Sequence, residues 1–142
     1  MKSYTDLKQS KNLAKILPLE SADMRYGHIA PYETSVEKYD GSYDEIPYPK
    51  AFLIKNSDFF EDEYDGELPC WSLAALLDIL ESDIDSEKGE TYQLNIEKDG
   101  IWWNVWYKEQ YDEAEPIATP SAEDLIDACV ETILKLNELN LL

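Results

Sequence analysis

The chain has 142 residues, 44% hydrophobic and 12% aromatic. That is enough to bury a core in a single domain, 1–142, and too apolar for overall disorder. The formal net charge of −19, from 31 acids against 12 bases, repels DNA, RNA and anionic membranes and leaves basic proteins or peptides as the macromolecular partners.

In chain order, residues 5–17 read as a helix. Leu7, Leu13, Ala14 and Leu17 form its apolar stripe, Thr5 or Ser3 can cap it, Asp6 sits in the first turn, and Pro18 ends it. Residues 20–24 are a polar turn or the entry to a strand. Residues 25–30 have strand length, interrupted by Gly27. Residues 31–49, rich in Tyr, Asp, Glu, Gly and Pro, read as one long surface loop. The apolar run 51–54 is the length of a central strand, and 56–66 is an acidic loop.

The only long apolar run, 68–80, reads as a buried helix. Leu73, Leu76, Leu77 and Leu80 fall at i, i+3, i+4 and i+7, and Ala74, Ala75 and Ile79 cover most of the remaining circumference. Ser72 is its N-cap, and Trp71 and Leu76 stand where a hydrophobic staple would pair. The run is too short to span a bilayer. Residues 81–90 form a second acidic loop.

Residues 91–108 read as a hairpin with Asp99-Gly100 as a two-residue type I′ turn. This register sets Lys98 opposite Ile101, Ile96 opposite Trp103, Leu94 opposite Val105 and Tyr92 opposite Tyr107. One face is then apolar. The other carries Gln93, Asn95 and Glu97 beside Trp102, Asn104 and Trp106. Residues 111–120 are a loop. Ser121 with Asp124 resembles a capping box for a helix over 122–139, whose stripe is Ile126, Cys129, Val130, Ile133 and Leu136. The sum is an α+β fold: a small, mainly antiparallel sheet of three to four strands packed against three helices.

Cys70 and Cys129 lie within apolar helical patterns, as reduced core residues of a cytoplasmic protein would. The start of the chain has no apolar segment of a secretion signal, and none is expected.

Three stretches resemble a family of small uncharacterised proteins of gut bacteria and their mobile elements. They are Leu13-Ala14-Lys15-Ile16-Leu17-Pro18 running into Glu20-Ser21-Ala22-Asp23-Met24; Pro69-Cys70-Trp71-Ser72-Leu73-Ala74-Ala75-Leu76-Leu77; and Asp127-Ala128-Cys129 with Ile133-Leu134-Lys135-Leu136. The middle stretch is the most specific, and Cys70 stands where the pattern usually has alanine. The resemblance implies a shared fold and carries no chemistry with it.

Candidate sites are few. In Glu61-Asp62-Glu63-Tyr64-Asp65-Gly66, four residues fit EF-hand positions 1, 3, 5 and 6, but position 12 is Ser72, which cannot supply the bidentate carboxylate. The run from Asp83 to Glu87 fails in the same way, with Leu94 at position 12. Both read as solvated charge, and no metal site is assigned. Nothing in the sequence brings Cys70 together with the lone histidine, His28, and an apolar setting makes Cys70, like Cys129, structural. Ser72 lacks the glycines of a nucleophile elbow. There is no HExxH, no Gly-rich phosphate loop and no Cys/His cluster, so no catalytic residue and no cofactor are assigned.

Trp102 and Trp106, on the polar face of the hairpin, are the candidate recognition residues, unless a helix or the Tyr-rich loop covers them. The acids Glu61, Asp62, Glu63 and Asp65 would add attraction for a cationic partner. The expected function is a small acidic, non-enzymatic interaction protein. By resemblance alone it is an accessory, immunity-like or anti-defence factor of a mobile element. The alternatives are a nucleic-acid mimic that inhibits a DNA-binding protein and an enzyme with an unrecognised site. An exposed Trp102/Trp106 patch also allows a homo-oligomer.

Overall fold

The computed structural model describes residues 1–26, 35–37, 43–45, 51–53, 68–109 and 115–142. The chain divides into two compact units, one of Tyr4–Ala75 and one of Met1–Ser3 with Leu76–Leu142. Both combine helix with antiparallel sheet, so the fold class is α+β. No described helix is long and apolar enough to cross a membrane.

In the first unit, α1 (Leu7–Ala14) is shorter than its apolar stripe suggests. Its cap is Asp6, not Thr5 or Ser3. The Asp6 carboxylate accepts from Gln9 N–H at 2.8 Å, and the Gln9 side chain accepts from Asp6 N–H at 3.0 Å. This reciprocal box satisfies two orphan donors at once. A short 3-10 turn, Leu19–Ser21, follows Pro18.

Strands β1 (Met24–Tyr26), β4 (Ala51–Leu53) and β5 (Leu68–Cys70) form an antiparallel sheet in the order β4-β1-β5. Strands β2 (Ser35–Glu37) and β3 (Tyr43–Glu45) pair separately, so the stretch expected as one long loop contains a short ladder. The run expected to be helical from 68 begins instead as β5. Pro69 lies there opposite Arg25, on an edge strand, where its missing N–H breaks no ladder bond. The helix proper, α2, is Leu73–Ile79.

The expected cap holds: Ser72 Oγ accepts from Ala75 N–H at 3.3 Å. The expected all-round burial does not. Ala74, Leu77 and Asp78, spaced i, i+3 and i+4, form one exposed stripe, whereas Ala75, Leu76 and the following Leu80 are buried. A helix of two turns buries one face and gives the other to solvent.

In the second unit, β6 (Asp83–Asp85), β7 (Thr91–Asp99), β8 (Trp102–Glu109) and β9 (Ile117–Ala118) make an antiparallel sheet in the order β6-β7-β8-β9. Strands β6 and β9 fall within stretches expected to be loops. Both are short edge strands, recruited by pairing with the hairpin rather than by their own pattern.

Helix α3 (Leu125–Glu138) packs against β8. Ile126, Cys129, Val130, Ile133 and Leu136 are all buried, as their spacing requires. Its cap is Asp124, accepting from Ile126 N–H at 2.9 Å. Ser121 is engaged elsewhere, donating to Asn104 Oδ1. Lys2 ties the chain start to this helix end: its backbone N–H donates to Asp124 and its ammonium meets Asp127, both at 2.6 Å. Acids at a helix N-terminus are favourable there, and the lysine neutralises them further.

Candidate functional site

The β7–β8 hairpin is built from its turn upwards. Gly100 has φ +62, and Ile101 has no positive φ. One positive φ at the first of two central residues is the pattern of a type II′ turn. The loop is therefore Gly100-Ile101, not Asp99-Gly100. The register becomes Asp99 opposite Trp102, Lys98 opposite Trp103, Ile96 opposite Val105 and Leu94 opposite Tyr107. Each partner is displaced by two residues from expectation. Because side chains alternate with a period of two, an even displacement leaves each residue on its expected face. Trp102 and Trp106 still share theirs with Asn95, Glu97, Asp99 and Asn104.

Burial on the apolar face fades towards the tip. At the base, Tyr92, Val105 and Tyr107 are buried. Tyr107 donates its hydroxyl to the Glu81 carbonyl at 2.6 Å, and burial raises its pKa above the ordinary phenol value. Leu94 is half-buried, Ile96 is 39% exposed and Ile101 is 62% exposed. Trp103 is half-buried, with the Lys98 ammonium 5.2 Å from its ring centroid, a cation–π contact.

On the opposite face Trp102 is 45% exposed, and Glu97 and Asp99 are exposed beside it. Trp106 is only half-buried; its backbone pairs with Ala118 of β9. Further along, Trp103 and Ala122 exchange backbone bonds of 2.7 and 3.1 Å. The outer edge of β8 is thus lined by the chain leading to α3. The tip gathers Trp102, Ile101 and two carboxylates in solvent and leaves Trp106 further down the strand.

The remaining sequence candidates have different fates. Glu61, Asp62, Glu63, Asp65 and His28 lie outside the described residues. Asp83–Asp85 is extended strand, with Asp85 accepting from Thr91 Oγ1 at 2.8 Å. Among the described residues, no group of three or more His, Cys, Asp or Glu could hold a metal ion.

Cys70 is fully buried, its sulfur 3.5 Å from both the carbonyl and the hydroxyl oxygen of Thr5. Burial raises its pKa and keeps it a thiol, whereas a nucleophilic cysteine needs an accessible thiolate. Cys129 is likewise buried and pushed up to about 12.

Sequence reasoning missed the polar knot around Cys70. The hydroxyls of Thr5 and Ser10 lie 2.8 Å apart, and Tyr26 donates to the Thr5 carbonyl at 2.5 Å. All three residues are buried. Serine and threonine beside a helix start signal a cap, and nothing local reveals a partner more than sixty positions away. The knot is closed to solvent and its hydroxyls are mutually satisfied, which suits a structural role.

No family model, no curated protein and no solved structure matches the chain.

Proposed function

We propose that the protein is a non-enzymatic interaction module that binds a basic protein or peptide through the tip of the β7–β8 hairpin. The observation that carries this reading is the exposure of Ile101 and Trp102 beside the exposed carboxylates of Glu97 and Asp99. A large aromatic and an aliphatic side chain left in water at one tip gain most by being covered. Tryptophan is the residue that most often dominates such contacts. The surrounding charge selects the partner's sign: a net −19 steers cations in, and an indole next to carboxylates suits an arginine or lysine. Two buried, unpaired cysteines favour a reducing, cytoplasmic setting. The resemblance to small proteins of gut bacteria and their mobile elements favours an accessory, immunity-like or anti-defence role.

The test is affinity capture from a gut-bacterial lysate at low and moderate salt, with the wild type and an Ile101→Ser/Trp102→Ser variant side by side. The expected result is a basic protein recovered by the wild type, more strongly at low salt, and lost with the variant. Recovery of no basic protein at either salt, or equal recovery by both chains, overturns the reading.

A further inference from the structure

The two strands of the hairpin differ in how their outer edges are used. Asp99 and Trp102 flank a two-residue loop and so form a hydrogen-bonded pair, and bonding then alternates along the ladder. Asn95, Glu97 and Asp99 bond inwards to β8. Leu94, Ile96 and Lys98 aim their backbone groups at the opposite edge. Strand β6 covers that edge from Thr91 to Gln93, and Leu94 N–H reaches the Ser82 carbonyl at 2.9 Å. Beyond Leu94, no described residue pairs with Ile96 or Lys98. Ile96, Glu97, Lys98 and Asp99 are all exposed. Among the described residues, the outward backbone groups of Ile96 and Lys98 thus stand on an unpaired strand edge.

We propose that this edge, centred on Ile96 and Lys98, receives an extended cationic segment of a partner as an added β-strand. The proposal rests on the interaction reading above and names the form its partner takes. Main-chain bonds to an open edge give affinity, and alternating side chains give selectivity. Side chains of the added strand that fall beside Ile96 lie on the apolar face. Those that fall beside Glu97 and Asp99 lie on the acidic face with Trp102. The fitting segment alternates aliphatic with arginine or lysine residues. A second copy of this chain is the wrong occupant: −19 would meet −19, and an antiparallel pairing centred on Glu97 would set that carboxylate against itself. Lys98 on the edge is the kind of charge that keeps like strands apart.

The probe is an octapeptide alternating valine and arginine. A peptide of the same composition with the valines and arginines in separate blocks is the control. Calorimetry on the full chain should show the alternating peptide binding at least about tenfold more tightly. Hydrogen exchange should show the Ile96 and Lys98 amides becoming protected. Ile96→Pro removes an outward donor and no β7–β8 bond, and should abolish binding. Should that variant misfold, Glu97→Lys/Asp99→Lys should exchange the preference for an alternating valine–glutamate peptide.

Equal binding of the alternating and block peptides, or binding without protection of the two amides, overturns the added strand. So does dimerisation of the chain alone with those amides protected. If Trp102→Ser abolishes capture of a basic protein while Ile96 and Lys98 exchange freely in the wild-type complex, the added strand fails and the hairpin-tip reading survives.

Discussion

Thr5 and Trp71 hold each other through two bonds: Thr5 N–H donates to the Trp71 carbonyl at 3.0 Å, and Trp71 N–H donates to Thr5 Oγ1 at 3.1 Å. The same hydroxyl meets Ser10 and the Cys70 sulfur. One threonine oxygen therefore joins the N-terminal segment, α1 and the end of β5. Thr5→Val keeps the shape and deletes the oxygen, leaving the Trp71 N–H without its buried acceptor. The expected loss is about 1–3 kcal/mol of unfolding free energy, the range for an orphaned buried donor. Urea titration followed by circular dichroism measures it, and Thr5→Ser, which keeps the oxygen, should lose less.

The buried thiols and phenols set the alkaline limit. An unfolded cysteine titrates near 9.0 and Cys129 in the fold near 12, because burial disfavours the thiolate. Cys70, Tyr26 and Tyr107 are raised for the same first reason. With the folded pKa above the unfolded one, the stability these groups contribute is fully present below pH about 9. It drains as pH rises towards 12, since the unfolded chain gives up its protons first. The urea midpoint should stay level around neutrality and fall above that lower bound. Cys129→Ala should make the fall shallower. Neither thiol should react with iodoacetamide in the native protein, and both should react in urea.

Ser72 is gripped from one side and caps from the other. Its N–H donates to Asp23 Oδ1 at 2.9 Å and its hydroxyl donates to Asp23 Oδ2, while the hydroxyl oxygen accepts from Ala75 N–H. Ser72→Ala should cost about 0.5–2 kcal/mol, as lost N-caps do. Asp23→Ala should be destabilising as well. The double variant should cost less than the sum, because the two residues share one network. A denaturation cycle over the four chains checks this.

The residues of this network mark the limit of what a sequence shows. The Ser72 cap is legible because a cap lies within three positions of its donor. Asp23 as its partner is not, being forty-nine positions upstream. Thr5 and Ser121 resemble caps as strongly as Asp6 and Asp124 do, and long-range partners decide between them: Trp71 for one and Asn104 for the other. The faces of the hairpin are legible and its register is not. A period-two pattern fixes a residue's side, and a shift of two satisfies the pattern equally well. The exposure of Trp102 is set by how far β7 and β8 outrun their neighbours. Strand β6 has three residues against nine in β7, and its own sequence gives it no strand signature.

The turn supplies a prediction that separates the two registers. A type I′ turn over Asp99-Gly100 would put Gly100 at the second central position, and Asn at positive φ is well tolerated in such turns. In the structure Gly100 is the first central residue of a type II′ turn, a position held by glycine. Apart from Gly100 itself and its two chain neighbours, no atom lies within 4 Å of where a Cβ would stand, so a substitution there meets no obstacle except the local backbone. Gly100→Ala should therefore cost about 1–2 kcal/mol, the penalty of positive φ for an L-residue. Gly100→Asn should cost nearly as much. Urea unfolding of both variants measures this, and near-wild-type stability of the asparagine variant would return the turn to Asp99-Gly100. Nuclear Overhauser contacts in the wild type give an independent reading. Lys98 and Trp103 are opposite each other in a non-hydrogen-bonded pair, where the two Cα atoms come closest. Their Hα protons should therefore show a strong cross-strand contact. In the other register that contact would instead join Glu97 to Trp102, and observing it there would discard the type II′ turn together with the edge pattern built on it.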